Sequence, residues 1–362
     1  MSSQEEKTFI NDCKKELEKN NPIDVSFNVE YIASSLFVSY SKVRNWVKNI
    51  LNYNINHLDE LWESFNRKLE KNNNKISWAI DYNILIDNLT KLLRENKIKE
   101  VNIFESRLIE EVGLNKAIAN EEIKINYQTK KCVIVEPLYA IEQTSSIVLN
   151  FNSNIERDII LGAEFKIFII PINKIIKQIK DIEPIIGLLS INKHQSKYLP
   201  FTTILTPKES DGKTTNIFVI DNSRTNLLEL TKHRSMLCCI ECDACKKVCP
   251  VYSLIKDEPY NNVFTGPVAN VILPFMETIP AYKHLSFSCT LCGNCQKVCP
   301  VNIPIRELII QNKNLFTESK CVDYKDRVEA KLIKTYLINE INKQWIKKCF
   351  FKFHKKHLTF LH

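Results

Sequence analysis

Cys239-Ile-Glu-Cys242-Asp-Ala-Cys245-Lys-Lys-Val-Cys249-Pro250 and Cys289-Thr-Leu-Cys292-Gly-Asn-Cys295-Gln-Lys-Val-Cys299-Pro300 are two copies of one pattern, C-x2-C-x2-C-x3-C-P. Three thiolates within one tight turn grip three corners of a cubane, and the fourth, set back behind a helical step and followed by Pro, points elsewhere. In two-cluster ferredoxins that fourth Cys ligates the other cluster. Applied to these runs, the rule puts Cys239, Cys242, Cys245 and Cys299 on one 4Fe-4S cluster and Cys289, Cys292, Cys295 and Cys249 on a second. The crossing would tie both runs into one folding unit. Structural zinc, the competing reading, wants four ligands in two pairs and leaves the third Cys of each run and the repeated Pro without a purpose.

Thirteen cysteines are present, and eight belong to the runs. The remaining Cys13, Cys132, Cys238, Cys321 and Cys349 are scattered and read as small buried residues. Cys238 stands next to Cys239, but the 2-2-3 spacing of the second run selects Cys239. Met1 to Asn21 is charged and polar with no apolar h-region, so a reducing cytoplasm is expected and a disulfide framework is not.

At 362 residues, 44% apolar and 25% charged, the chain has the composition of a globular protein of two or three domains. The most apolar stretch, Phe165 to Ile186, is broken by Lys166, Lys174, Lys177, Lys180 and Pro184, so no membrane span is expected. The formal charge of +8 is concentrated at the end: residues 311 to 362 carry 12 Lys and Arg against 5 Asp and Glu. No nucleic-acid partner is implied. The basic, aromatic run from Lys347 to His357 is a candidate for peripheral contact with an anionic membrane at its cytoplasmic face; a solvated helix packing its Phe residues is the plainer reading. His354, His357 and His362 make a weaker candidate for a metal site.

The expected fold class is α/β plus α. Residues 1–74 read as N-terminal helices, from apolar positions at Val29, Ile32, Leu36, Tyr40 and Val43 and again at Leu58, Leu61, Trp62, Phe65 and Leu69, with Asn56 as a cap. Residues 75–222 read as an α/β domain with a covered sheet. Tyr82, Leu85, Ile86, Leu89, Leu92 and Leu93 make a helical face, and its strands lie at Glu100 to Glu105, Cys132 to Glu136, Ser146 to Phe151, Phe165 to Pro171, Thr202 to Leu205 and Asn216 to Ile220. A further helix is expected from Asn173 to about Ile182. Residues 223–310 form a helical two-cluster ferredoxin-like domain, whose 39-residue insert between Cys249 and Cys289 exceeds that of a small bacterial ferredoxin, and 311–362 a basic helical tail. With six Gly in the chain and neither GxGxxG nor GxxxxGK[ST], dinucleotide and P-loop binding are unsupported. His57, His194 and Glu142 stand alone, and no catalytic residue is assigned.

The stretch from Ile217 onward resembles the lactate utilization protein B family, the iron-sulfur subunit of a bacterial L-lactate oxidising system, in a divergent and shortened form. The residues that carry the likeness are Phe218 to Arg224, Cys239 to Cys249 with Pro250-Val251-Tyr252, Gly266-Pro267, and Leu291-Cys292-Gly293 through Cys299-Pro300-Val301 to Ile303-Pro304. Fainter likeness covers Asn74 to Ala79, Glu105-Ser106-Arg107 and Glu110 to Leu114. The family's Ala-Glu-Thr-Gly-Ser turn stands in this chain as Glu142-Gln143-Thr144-Ser145-Ser146, and its Asp-Asn-Gly-Arg run carries Ser223 in place of Gly. The resemblance implies a lactate-utilisation-type α/β domain and two 4Fe-4S clusters. It also implies electron transfer from L-lactate oxidation to pyruvate, with other subunits of a lactate-oxidising complex and a respiratory acceptor as partners. Lys246, Lys247 and Lys297, between the cysteines, are solvent-facing residues that could dock an acidic partner. The same cysteines would serve a glycolate oxidase-like or heterodisulfide reductase-like subunit. A self-sufficient L-lactate dehydrogenase would need a two-electron centre, for which no signature is visible.

Overall fold

A computed structural model describes residues 8–9, 11–13, 15–16, 39–72, 74–194, 199, 201–207 and 214–319. The expected helix through Val29, Ile32 and Leu36, the basic tail with its three histidines, and Cys321 and Cys349 lie outside them. The chain divides into two compact units, one of residues 41–225 and one of residues 1–40 with 226–362.

The first unit begins with α1 (Tyr40–Asn56) and α2 (Leu58–Lys71), then β1 (Lys75–Ala79), α3 (Tyr82–Glu95), β2 (Glu100–Ile103), α4 (Arg107–Glu111), α5 (Leu114–Ala119) and β3 (Lys124–Ile125). It continues through β4 (Cys132–Val135), β5 (Tyr139–Ile141), β6 (Ser146–Asn150), α6 (Asn154–Gly162), β7 (Phe165–Pro171), β8 (Ile175–Ile176), α7 (Ile182–His194), β9 (Thr202–Leu205) and β10 (Thr214–Ile220). Six strands form a sheet in the order β1-β10-β7-β4-β2-β3, with every pairing parallel.

Every residue of β4 and β7 is buried, which is why these strands read as continuous apolar runs rather than alternating ones. Alternate residues nevertheless take opposite faces: Ile167 and Ile169 of β7 and Phe218 and Ile220 of β10 join one apolar cluster with Leu85, Leu89 and Leu93 of α3, Leu108 of α4 and Ile118 of α5. The start of α3 is fixed by Asp81, whose carboxylate accepts from Ile84 N at 2.9 Å, and Ser106 caps α4 in the same way through Ile109 N at 3.2 Å. A smaller sheet of order β8-β5-β6-β9 mixes a parallel β5/β8 pair with antiparallel β5/β6 and β6/β9 pairs. α2 buries Leu58, Leu61, Phe65 and Leu69 and packs on β1 and β8.

Two local expectations are corrected. The N-cap of α2 is His57 rather than Asn56, and it makes no side-chain cap bond; its ring instead meets Tyr53 O at 2.8 Å. The helix expected at 173–182 is a 3-10 turn (Ile172–Lys174), β8, and a second 3-10 turn (Ile179–Asp181), with α7 starting only at Ile182. Ile175 and Ile176 pair with Ala140 and Ile141 of β5, so sheet pairing overrides the local helical pattern. Pro184 sits in the first turn of α7, where its missing N–H costs no intrahelical bond.

The second unit is helical: α8 (Asn226–Glu229), a 3-10 turn (His233–Cys238), α9 (Ala244–Lys247), α10 (Pro250–Ile255), a 3-10 turn (Glu258–Tyr260), α11 (Gly266–Met276), α12 (Ile279–Ser288), α13 (Asn294–Val298) and α14 (Ile305–Glu318). α11, α12 and α14 pack on one another around buried Asn312. The Asn312 amide donates to Asn270 O, Val271 O and Ser286 Oγ at 3.1 to 3.2 Å, and its oxygen accepts from His233 Nε2 at 2.6 Å. A fully satisfied buried hub of this kind fixes one relative placement of the three helices. Among the described residues no helix is long and apolar enough to cross a membrane.

Candidate metal centre

The two cysteine runs fold alike, position for position. Glu241 and Asp243 have φ of 56° and 57°, and their counterparts Leu291 and Gly293 have φ of 58° and 78°. Successive turns into the left-handed region make concave nests of backbone N–H groups that favour an anionic centre. Three of the four residues are not glycine, and each such backbone costs of order 1 kcal/mol. Each run thus carries such strain beside its cysteines. A short helix follows each turn, α9 in one run and α13 in the other, and then the fourth Cys with its Pro. Cys249 caps α10, with Pro250 at the first helical position, and accepts from Tyr252 N at 3.4 Å. Cys289 accepts from Leu291 N at 3.3 Å and Cys299 from Ile303 N at 3.4 Å.

The thiols act on one another across the two runs. Burial pushes the Cys242 and Cys245 thiols far up, and their neighbours Cys239 and Cys299 push them further. Burial likewise raises Cys249 to about 12 and Cys295 higher still, with Cys289 and Cys292 adding to both, and Cys249 to Cys295. Cys295 also acts on Cys245, so the runs adjoin. The neighbour acting on Cys242 and Cys245 is Cys239; Cys238 lies buried at the end of its 3-10 turn. Of the eight side chains only Cys292 is exposed.

Four soft sulfur donors are the donor set of an iron-sulfur cluster, and the positive charge of the irons is what such thiols lack as anions. Among the described residues no three His, Cys, Asp or Glu side chains are grouped to hold a single metal ion.

Several contacts around the runs have no signal in the sequence. Tyr260 is buried and its hydroxyl is held far above its usual range, first by burial and then by Cys249, Cys13 and Cys289; its ring meets Phe9 edge-on. Asp257 accepts from Tyr252 Oη at 2.9 Å and from Thr265 Oγ1, and pairs with Lys246 at 3.7 Å; together these bonds outweigh burial and lower its pKa. The insert is thus pinned to the first run. Gly266 shows why its position needs glycine: φ is +70°, and a Cβ would lie 2.9 Å from Lys246 Cγ. Lys246 bridges Asp243 and Asp257, while Lys247 and Lys297 are exposed.

In the first unit the Asp221 to Arg224 anchor forms a lock. Arg224 donates to both oxygens of Glu111 on α4, at 2.9 and 2.7 Å, and Asn222 donates to the same carboxylate at 2.6 Å. Both ion-pair side chains are less than a tenth exposed. Two separate stretches of family likeness, at 110–114 and 218–224, are one contact. Glu142 is engaged by Ser64 and by Lys68 Nζ at 2.6 Å; burial draws its pKa up, but those bonds prevail and lower it. It ties the Glu-Gln-Thr-Ser-Ser turn to α2. Ser145 and Ser223, at the two family glycines, keep φ of 53° and 65°. His57 bonds its own helix and His194 ends α7.

Residues 235–303 match the family 4Fe-4S dicluster domain. Curated relatives carry the name lactate utilization protein B. That of Geobacillus thermodenitrificans is 29% identical over 240 residues, covering 62% of this chain and 49% of the relative. That of Anoxybacillus flavithermus is 27% identical over 238 residues, covering 62% and 50%, and that of Bacillus licheniformis 30% over 187 residues, covering 50% and 39%. The chain spans about half the length of the first two relatives. A crystal structure of a DUF162 family protein from Deinococcus radiodurans is 13% identical, with a TM-score of 0.34, covering 45% of this chain and 98% of that one; a likeness so loose bears no weight. The resemblance to lactate utilization protein B read from the sequence is therefore found again over three-fifths of the chain.

Proposed function

We propose that this chain is an iron-sulfur electron-transfer protein that carries two 4Fe-4S clusters and relays electrons from the oxidation of L-lactate to pyruvate towards a respiratory acceptor. The observation that carries the reading is that the fourth cysteine of each run acts on thiols of the other, Cys299 on Cys242 and Cys245 and Cys249 on Cys295, which supports one set of Cys239, Cys242, Cys245 and Cys299 and another of Cys249, Cys289, Cys292 and Cys295. In this reading each set holds one cluster. The dicluster match and the lactate utilization relatives support the cofactor and the metabolic setting.

When bound, a 4Fe-4S cluster supplies a one-electron couple whose potential follows net charge, hydrogen bonds to sulfur and exposure. The chain's own residues supply the rest. The strained turns at 241–243 and 291–293 and the N–H donors of Tyr252, Leu291 and Ile303 hold the sulfurs and offset their charge. Burial of Cys242, Cys295 and Cys299, each at most 7% exposed, excludes water. Lactate oxidation releases two electrons and two protons; the protons stay with a partner subunit and the electrons pass singly.

The test is anaerobic reduction of the iron-loaded chain followed by EPR. L-lactate alone is expected to leave it oxidised, and L-lactate with its lactate-oxidising partner subunits to reduce it. Reduction by lactate in the absence of partners would make the chain an enzyme in its own right. Reduction through glycolate-oxidising or heterodisulfide-cleaving partners, with none through lactate-oxidising ones, would replace lactate as the source.

A further inference from the structure

The two runs share a backbone but not a charge. Glu241 and Asp243 occupy the positions that Leu291 and Gly293 hold in the second run. The one lysine near them that is largely covered, Lys246, is shared between Asp243 at 3.5 Å and Asp257 at 3.7 Å. Carboxylates therefore dominate around the first turn.

Around the second turn the balance reverses. Arg306 lies over the turn, its Cδ 3.3 Å from where a Gly293 Cβ would stand, so that glycine leaves room for an arginine. Its Nε is buried without a hydrogen-bond partner, and among the described residues no carboxylate pairs with its guanidinium. Lys313 Nζ donates to Cys289 O at 3.2 Å. The acid nearby, Glu307, is exposed and accepts from Gln296 at 3.0 Å. The single exposed cysteine of the eight, Cys292, belongs to this set.

We infer that the set of Cys249, Cys289, Cys292 and Cys295 is the outlet of the protein, the higher-potential of two stops, from which an electron leaves at the Cys292 corner for a one-electron acceptor on an acidic partner protein docked over Arg306. The inference rests on the two-cluster reading above. Reduction adds negative charge, which Arg306 and Lys313 stabilise at the second set and Glu241 and Asp243 oppose at the first. One electron passes from the first set to the second and on to the acceptor. No bond is made or broken and no proton moves. Cys292 supplies the short path, since electron exchange falls off with the thickness of protein between the centres, and Arg306 supplies the attraction for an acidic surface.

The experiment is a potentiometric EPR titration of the iron-loaded full chain. Arg306→Gln is expected to lower the upper of two reduction waves and leave the lower in place, and Glu241→Gln with Asp243→Asn to raise the lower wave alone. Either variant moving the opposite wave, or neither moving any, overturns the assignment. A second measurement needs no variant: brief treatment of the unaltered protein with an iron chelator, then iodoacetamide and peptide mapping. Labelling should come first at Cys249, Cys289, Cys292 and Cys295; first labelling at Cys239, Cys242, Cys245 and Cys299, or at both sets together, refutes the outlet. For the docking face, oxidation of the reduced protein by ferricyanide, an anion, should slow in Arg306→Gln and in high salt; an unchanged rate removes the acidic partner. A preparation holding zinc, or no iron and sulfide, removes the two-cluster reading and the outlet together, whereas two clusters in the reverse order remove the outlet alone.

Discussion

In the α/β unit, β4 and β7 bury every residue they have, and Leu85, Leu89 and Leu93 of α3 share one apolar cluster with Ile134 of β4 and Ile167 and Ile169 of β7. In the cluster unit, the helices within the cysteine runs or starting directly after Cys249, α9, α13 and α10, are four, five and six residues long. Helices so short do not persist alone in water. The first unit can be held by apolar burial at about 25 cal/mol per Å². In the two-cluster reading the second depends on ligation around its thiols, because their raised pKa values mean that the sulfurs are poorly accommodated as bare anions. In that reading one chain joins a part that stands by packing to a part that stands by its cofactor.

The sharpest way to break that comparison is Cys299→Ala. Crossed ligation predicts loss of the set built on Cys239, Cys242 and Cys245, a fall from about eight to about four irons per chain, and earlier melting of the cluster unit. The α/β transition in calorimetry should not move. Loss of the set built on Cys289, Cys292 and Cys295 instead would mean that each run keeps its own four cysteines.

Arg224→Met addresses the other side. It leaves Glu111 buried without its partner and is expected to cost about 3 to 5 kcal/mol of α/β stability in denaturant titration, while the double change Arg224→Met with Glu111→Leu costs much less. The EPR spectrum should stay as it was. Gly266→Ala comes next, at about 1 to 2 kcal/mol in the cluster unit, since φ of +70° suits glycine and Lys246 must yield to the new methyl.

Acid separates the units by where decline begins. Burial lowers His284 to about 4 and also lowers His233, so both are neutral in the folded unit and charge more readily when unfolded. Their contribution is complete above about pH 6.5 and is lost as pH falls towards the folded values, for His284 about 1 kcal/mol by pH 5.5. In the α/β unit Glu142 is lowered, and hydrogen bonds from Lys131, Asn126 and Thr129 lower Glu100 to about 2. Those contributions persist until the pH drops below about 4.5. Melting from pH 7.5 to 5.5 should therefore weaken the cluster unit alone, and His284→Leu should flatten the decline. The smallest effect is a gain: Ser145→Gly and Ser223→Gly each relieve a left-handed serine and should raise α/β stability by roughly 0.5 to 1 kcal/mol.

How much of the molecule is legible in the chain depends on the kind of signal. The cysteine spacing makes the two like-folded turns legible, because the C-x2-C-x2-C pattern is local to each run. Phe165–Pro171 and Thr202–Leu205 are readable to the residue, both being short runs rich in β-branched and aromatic residues. Lys75–Ala79 gives no strand signal of its own: its side chains at 75 and 78 are exposed, and among the described residues it pairs only with β10, far along the chain. β8 passes for helix because two isoleucines fit a helix as well as a strand until β5 is placed beside them. The role of Arg224 is hidden for the same reason, its partner Glu111 lying 113 residues away. The charge difference between the turns, Glu241 and Asp243 against Leu291 and Gly293, is in plain sight. It acquires meaning only when Arg306 is seen above Gly293.

The central claim, two cubanes on crossed cysteines, is tested most directly by iron and acid-labile sulfide analysis of anaerobically purified protein, with low-temperature EPR after dithionite reduction. Two such clusters predict about eight irons and eight sulfides per chain and spectra broadened by coupling between two neighbouring reduced centres. Zinc in place of iron, or about four irons giving one uncoupled signal, would contradict the claim.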